Sequence, residues 1–203
     1  MDRSFARPLL LKTSGPARFC EANPLNFPSK ALRLQTFSEK ATVDLGRILA
    51  AALVEAMPAP CLTVLLSGDL GTGKTALIRG FCSALGVTRV RSPSFTLINE
   101  YHADRFPIVH ADLYRLAPDE VEDLGLEEYH GTPFVLLVEW AERWTNQPGH
   151  DVLKIFLEAW GENERVFYIY SRGAHADLAL QNLREAVKDE ETNPGAGLQL
   201  ALD

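Results

Sequence analysis

The sequence has few cysteines, and none is paired in the way that binds zinc or forms a redox centre. Its 203 residues include Cys20, Cys61 and Cys82, which are widely spaced and form no C-x-x-C motif. An odd number of widely spaced cysteines argues against both a disulfide framework and a zinc site. It fits a reducing compartment, so we expect a cytoplasmic protein.

Long apolar runs and an excess of positive charge are also missing. No stretch approaches the roughly 20 apolar residues of a membrane span, and we expect no membrane association. The formal net charge is -7. This charge argues against direct electrostatic binding to nucleic acid, so RNA would be reached locally or through a partner.

The composition suits one domain with additional segments at its ends, because 46% of the residues are hydrophobic. We predict a basic, flexible leader at residues 1–35, a structured domain at 36–187 and a mobile tail at 188–203. The leader has a weak transit-peptide-like bias, but its prolines favour a flexible segment or a misassigned start codon.

Strands and helices alternate along the predicted domain. Hydrophobic periodicity and turn residues predict helices that follow the cap at Ser38-Glu39 and cover 76–85, 118–124 and 175–187, and strands at 62–67, 95–101, 106–110, 134–138, 152–159 and 165–171. The strand at 134–138 is apolar enough to be buried on both faces of a parallel sheet. This order of elements predicts an α/β fold.

A glycine-rich run between the first strand and its helix matches the phosphate-binding pattern G-x-x-x-x-G-K-[ST]. Glycines let backbone N–H groups turn toward phosphate oxygens, and the helix N-terminus adds partial positive charge. Lys74 is expected to reach the β and γ phosphates, and the Thr75 hydroxyl to bind Mg²⁺. The alternative is a glycine-rich turn without function. The predicted nucleotide-binding residues of this run are Asp69, Leu70, Gly71, Thr72, Gly73, Lys74, Thr75 and Ala76.

Two acidic residues follow predicted strands and are candidates to complete a Mg²⁺ and ATP site. Glu139 ends the most apolar strand, as the metal-binding acid of a P-loop protein does. Asp112 could hold Mg²⁺ directly or through water, or orient the attacking water. A turn or helix-cap role is the plain alternative for Asp112. We assign Lys74, Asp112 and Glu139 as the catalytic set.

The segment from Arg91 to Thr96 lies between the phosphate-loop helix and the next strand, where nucleotide-sensing segments often lie. Ser94 and Thr96 are candidate γ-phosphate sensors, although a simple proline-containing loop explains the same residues. Trp140, which follows Glu139, could pack over the metal site or fill an apolar surface at the sheet edge, and we expect packing in the core.

Four motifs together resemble the TsaE (YjeE) family, bacterial ATPases needed for threonylcarbamoyladenosine modification of tRNA. They are the phosphate loop Gly68–Thr75, the segment Ser92-Pro93-Ser94-Phe95-Thr96-Leu97, the segment His110-Ala111-Asp112-Leu113-Tyr114-Arg115-Leu116, and Val138-Glu139-Trp140. The resemblance covers about residues 36–187, with Ser94 at a position where the family more often has threonine. It implies a P-loop NTPase-like, mixed and largely parallel sheet flanked by helices.

The same resemblance implies site residues and partners. Thr75 and Glu139 would bind Mg²⁺, with Asp112 near the metal and the γ phosphate. Glu39 and the turn at Glu162 and Asn163 would approach the adenine or ribose. The partners would be the TsaD and TsaB proteins, with tRNA reached only indirectly, and ATP hydrolysis would reset their complex.

Two other classes of P-loop protein remain open from the residues alone. A small-molecule or nucleoside kinase usually adds an arginine-bearing lid, and no clear R-x-x-x-R lid is present. A GTP-dependent switch would carry an N-K-x-D motif, which the sequence lacks.

Overall fold

A mixed β-sheet of eight strands forms the centre of the described part of the chain. The structure is a computed structural model that describes residues 31–56, 62–129, 134–191 and 198–200. The strands are β1 (Leu32–Thr36), β2 (Leu62–Ser67), β3 (Ile98–His102), β4 (Pro107–Asp112), β5 (Val135–Glu139), β6 (Val152–Ala159), β7 (Arg165–Arg172) and β8 (Leu198–Leu200). The helices are α1 (Glu39–Ala56), α2 (Lys74–Ala84), α3 (Pro118–Glu122) and α4 (Ala174–Glu191), with 3₁₀ turns at Leu126–Tyr129 and Ala141–Arg143.

The strands follow the spatial order β3-β4-β5-β2-β6-β7-β1-β8. Strands β4, β5, β2 and β6 are parallel, whereas every pairing outside this central group is antiparallel. All residues of β5 are buried, as expected of a strand covered on both faces. The predicted mixed α/β sheet flanked by helices is confirmed, with its parallel strands at the centre.

The two faces of the sheet carry separate hydrophobic cores. Alternation along β2 directs Val64 and Leu66 into one core and Leu65 into the other. The first core packs against α1, α2 and α4, and the second against α3 and the two 3₁₀ turns. The phosphate loop joins β2 to α2, so it lies at the carboxyl end of a central strand, beside the first core.

Helices α1 and α2 approach each other closely through two glycines. A Cβ atom on Gly46 would lie 2.1 Å from the Leu77 carbonyl oxygen, and one on Gly80 would lie 1.9 Å from the Val43 carbonyl oxygen. Both neighbours are backbone atoms, which cannot move away as a flexible side chain can. The helix that starts at the phosphate loop therefore depends on glycine at these two positions.

The ends of the structured domain differ from the sequence-based boundaries. Strand β1 lies largely inside the predicted leader, and its buried Leu32, Leu34 and Thr36 alternate with half-buried residues while it pairs with β7. At the other end, the last residues of α4, which ends at Glu191, lie in the stretch predicted as a mobile tail. Strand β8 lies in the same stretch and pairs with β1. The rest of the predicted leader and tail lies outside the described residues.

Strand β3 starts later than the sequence pattern predicts. The predicted strand begins at Phe95, but Leu97 has a φ of 66°, which an extended strand does not accommodate. The Leu97 N–H donates to the Pro93 carbonyl oxygen at 2.6 Å, so this segment is a turn. Within the described ranges, no helix combines the length and the apolar character needed to cross a membrane.

Candidate nucleotide site at the carboxyl end of the sheet

Glycines allow the phosphate loop to adopt its conformation. Gly73 precedes α2 with a φ of 102°, and Gly68 follows β2 with a φ of 133°. A Cβ on Gly68 would lie 2.2 Å from the Leu157 carbonyl oxygen. The Thr72 hydroxyl donates to the Asp69 carbonyl oxygen at 2.9 Å and closes the loop. Only glycine combines these left-handed angles with the close approach to β6.

The start of α2 is free to receive an anion. Gly73 is the N-cap and provides no side-chain cap to the first turn. The N–H groups of that turn have no partner within the helix, and the helix dipole adds partial positive charge. A phosphate group is the ligand that such a helix end binds.

Lys74 is the first residue of α2, and its buried side chain, with 4% of the residue surface exposed, reaches back across the loop. Its Nζ donates to the carbonyl oxygens of Gly68 at 2.6 Å and Asp69 at 2.9 Å. The same Nζ lies 4.0 Å from the centroid of the Trp140 ring, a cation–π distance. Burial lowers the pKa of Lys74, and four surrounding carboxylates, Glu139 first among them, oppose that shift.

Thr75 and Glu139, two of the predicted metal ligands, are in direct contact. The Thr75 hydroxyl lies 2.9 Å from both Glu139 carboxylate oxygens. The His110 Nε2 lies 2.9 Å from Glu139 Oε1. Glu139 is therefore held from the helix by Thr75 and from the neighbouring strand by His110.

Asp112 has a fixed orientation beside Glu139. Its Oδ2 accepts a hydrogen bond from the Ser92 hydroxyl at 2.7 Å, and its Oδ1 accepts one from the Tyr114 N–H at 3.0 Å. Asp112 and Glu139 are partners in the parallel register of β4 and β5. Both carboxylates thus lie at the same edge of the sheet, below the phosphate loop.

These residues line a cavity of about 430 Å³, a size that suits a small-molecule ligand. The structure brings ten of the predicted site residues to its wall: Glu39, Leu70, Gly71, Gly73, Lys74, Thr75, Ala76, Ser94, Asp112 and Glu139. Asp69 and Thr72 do not line this cavity and instead shape the loop behind it. Glu39 lies at the exposed rim, where it accepts a hydrogen bond from Arg79 at 3.2 Å.

The structure does not support Thr96 as a γ-phosphate sensor. Thr96 does not line the cavity, and its hydroxyl donates to Asn99 Oδ1 at 2.9 Å. The turn that delays β3 carries Thr96 away from the cavity. In the same segment, Ser94 lines the cavity, and the Ser92 hydroxyl contacts the site carboxylate of Asp112.

Trp140 packs, partly buried, against the second core as expected, and it also borders the cavity. Its ring lines the cavity, lies over Lys74 and lies 4.8 Å from the Tyr114 ring, centroid to centroid. Its backbone is left-handed, with a φ of 59°, which is rare for a bulky residue. Strain of this kind is found at binding sites, where surrounding contacts maintain it.

Arg165 is a cavity residue that sequence reasoning missed. Its Nε and Nη1 are buried and have no hydrogen-bond partner among the described residues. The guanidinium lies beside the phosphate loop, since a Cβ on Gly73 would be 3.1 Å from Arg165 Nε. The predicted contacts Glu162 and Asn163 do not line the cavity. Arg165 directly follows the turn that contains Glu162 and Asn163, at the start of β7.

The donor atoms at this site fit Mg²⁺. Thr75, Glu139 and Asp112 offer hydroxyl and carboxylate oxygens, the ligands that this hard cation prefers. Across the described residues there is no cluster of three or more His, Cys, Asp and Glu side chains able to hold a metal by itself. Such a site suits a cation that takes its remaining ligands from phosphate and water.

The loop between β2 and α2, the lysine that crosses it and the acid at the end of β5 define a P-loop protein. Residues 36–167 match the model of the family "Threonylcarbamoyl adenosine biosynthesis protein TsaE". The chain belongs to the TsaE family, and the predicted resemblance is confirmed. The family acts in the biosynthesis of threonylcarbamoyladenosine in tRNA.

Individual relatives agree with the family match. The tRNA threonylcarbamoyladenosine biosynthesis protein TsaE of Bacillus subtilis is 39% identical over 76% of this chain and 94% of its own length. The TsaE protein of Nostoc sp. is 42% identical over 54% of this chain and 68% of its own length. The crystal structure of YdiB from Bacillus subtilis superposes with a TM-score of 0.64 and 32% identity, covering 77% of this chain and 95% of that one.

Proposed function

We propose that this protein binds ATP with Mg²⁺ in the cavity lined by Gly73 and Arg165 and hydrolyses it, as an accessory ATPase in threonylcarbamoyladenosine modification of tRNA. The observation that carries the proposal is the contact of Thr75 with Glu139 below a complete phosphate loop, with Asp112 in register beside them. A hydroxyl and a carboxylate in contact at the end of the loop are the parts that hold the metal in P-loop ATPases.

Several cavity residues then have defined roles. The start of α2 and Lys74 bind the phosphates, and the unpaired Arg165 guanidinium adds positive charge at the loop. Thr75 and Glu139 hold Mg²⁺, which neutralises phosphate charge and fixes its geometry. Asp112, oriented by Ser92 and Tyr114, orients the attacking water or a metal-bound water. Glu39 and Arg79 form the rim on the side of α1 and α2.

We further propose that the nucleotide state controls a complex with the TsaD and TsaB proteins. The family name connects the chain to tRNA modification, whereas its net charge of -7 does not favour direct tRNA binding. A protein partner would therefore provide the connection to tRNA, and hydrolysis would reset the complex. The cysteine content and the tRNA-modifying role fit the cytoplasm.

The test is phosphate release from ATP and Mg²⁺ by the full chain, alone and with TsaD and TsaB of the same organism. We expect slow release by the chain alone, faster release with both partners, and co-elution in gel filtration when ATP is present. Lys74→Ala should abolish nucleotide-dependent co-elution. Lys154→Ala, which removes a β6 lysine whose Nζ donates to Gln147 Oε1, should not. No complex and no change in ATP hydrolysis, or rapid phosphoryl transfer to a nucleoside, would overturn the proposal.

A further inference from the structure

His110 is a buried polar residue to which the proposed reaction gives no role. Its side chain is fully buried on β4, in the layer where the strand otherwise contributes apolar residues such as Ile108 to the core. Burial of an imidazole that lacks hydrogen-bond partners is unfavourable, because each ring nitrogen loses its hydrogen bonds to water. The position of His110 therefore calls for a specific partner.

That partner is Glu139. The His110 Nε2 lies 2.9 Å from Glu139 Oε1, whereas the Nδ1 has no hydrogen-bond partner among the described residues. A carboxylate only accepts hydrogen bonds, so the proton of a neutral ring belongs on Nε2 and the Nδ1 is a bare acceptor. The ring of Tyr101 lies 6.4 Å from the imidazole, centroid to centroid.

The sheet register explains how the contact is built. His110 precedes Asp112 by two residues on β4, so both side chains point to the same face of the sheet. Asp112 is the register partner of Glu139 on β5, and His110 is the register partner of Leu137. His110 thus lies one step deeper in the core than the two acids and reaches Glu139 from below.

We propose that His110 is a positioning residue that donates its Nε2–H to Glu139 and fixes that carboxylate for Mg²⁺. This rests on the proposed Mg²⁺ and nucleotide site. Thr75 approaches Glu139 from α2 and divides one hydroxyl proton between two oxygens, while His110 bonds one oxygen from a rigid strand. Donors behind a metal-binding carboxylate set its orientation, and their loss costs about 10-fold to 100-fold in metal affinity or activity.

The test separates metal affinity from general damage to the fold. Affinity for ADP is measured by calorimetry over a range of Mg²⁺ concentrations and in EDTA. In His110→Leu we expect the half-saturating Mg²⁺ concentration to rise by about 10-fold to 100-fold, with unchanged ADP affinity in EDTA. His110→Gln, which retains an amide donor, should recover most of the loss. Val109→Ala is the matched control, a fully buried residue on the same strand that faces the other core.

The outcomes of these measurements test the role of His110 and the proposed metal site separately. An unchanged Mg²⁺ requirement in His110→Leu, an equal loss of ADP affinity in EDTA, or a glutamine variant as poor as the leucine variant would overturn the role of His110. If ADP binding by the wild-type protein does not depend on Mg²⁺, the proposed metal site itself fails. If the variants do not fold, ¹⁵N NMR of the His110 ring in the wild-type protein decides, because a proton on Nδ1 would contradict donation from Nε2.

Discussion

Asp112 and Glu139 are directly opposite each other in the parallel register of β4 and β5. Each ends its strand, so both carboxylates lie at the carboxyl edge of the sheet, where the phosphate loop also begins. This edge is the usual ligand-binding edge of an open α/β sheet. One pairing register therefore assembles acids that are far apart in the sequence into a single site.

Removing either acid should impair hydrolysis far more than nucleotide binding. We expect Glu139→Gln and Asp112→Asn to lower the rate of ATP hydrolysis by at least about 100-fold, because the proposed roles of these acids are to hold the metal and orient the attacking water. ADP affinity in EDTA should stay close to that of the wild-type protein. Glu142→Gln is the control, since Glu142 acts electrostatically on Lys74 but does not line the cavity. Wild-type turnover in either variant would refute the assignment.

Arg165 should contribute to nucleotide affinity. Arg165→Ala should weaken ATP binding by about 10-fold to 100-fold, because a hydrogen bond to a charged group contributes roughly 1.5–3 kcal/mol. Arg172→Ala removes an exposed arginine at the other end of β7 and should leave affinity unchanged. Equilibrium binding of a non-hydrolysable ATP analogue measures both variants. Equal affinity in Arg165→Ala and the wild-type protein would remove Arg165 from the site.

Substitution of either glycine at the contact between α1 and α2 should destabilise the protein. Gly46→Ala and Gly80→Ala each place a methyl group against a carbonyl oxygen of the other helix. We expect each to lower the free energy of unfolding by about 1–3 kcal/mol or more. Gly149→Ala, whose Cβ would meet nothing within 4 Å, should be neutral. Chemical denaturation monitors all of them, and an unchanged midpoint in both helix variants would contradict the close packing.

Cys82 should make stability depend on pH in alkaline solution. Burial raises the pKa of the Cys82 thiol to about 12 from 9.0. The folded state therefore keeps the proton at pH values where the unfolded state loses it, and its advantage declines as pH rises above 9. Relative to Cys82→Ala, the free energy of unfolding should fall by up to about 1.4 kcal/mol per pH unit above that value. A difference between the two proteins that stays constant from pH 8 to about pH 10 would exclude this linkage.

The sequence predicts most elements because their signals are local. The apolar run that became β5, the hairpin strands β6 and β7, and the phosphate loop all depend on residues close together in the chain. Strand β1 was missed because its short alternation, Leu32 to Thr36, lies next to a basic, proline-containing segment that suggested a leader. Its partner β7 lies far along the sequence, and only the pairing with β7 identifies the alternation as that of a strand.

The site was predicted where motifs exist and missed where contacts depend on register. Lys74, Thr75 and Glu139 follow from a pattern and a strand end. The approach of Arg165 to Gly73 depends on the β6–β7 hairpin, and the bond from His110 to Glu139 depends on the pairing of β4 with β5. Neither contact has a local sequence signal. The position of Thr96 outside the cavity lining has a similar origin, because a left-handed Leu97 changes the direction of the chain.

The most direct measurement of the central claim is the amount of threonylcarbamoyladenosine formed on tRNA by TsaD and TsaB of the same organism. The reaction contains ATP, Mg²⁺, a threonylcarbamoyl donor and this protein, and the product is counted per TsaD–TsaB complex. We predict repeated cycles with the wild-type chain and no more than a single cycle with Lys74→Ala or Glu139→Gln. Equal product with Lys74→Ala and the wild-type chain, or no gain on adding the wild-type chain, would contradict a role for ATP hydrolysis at Gly68–Thr75.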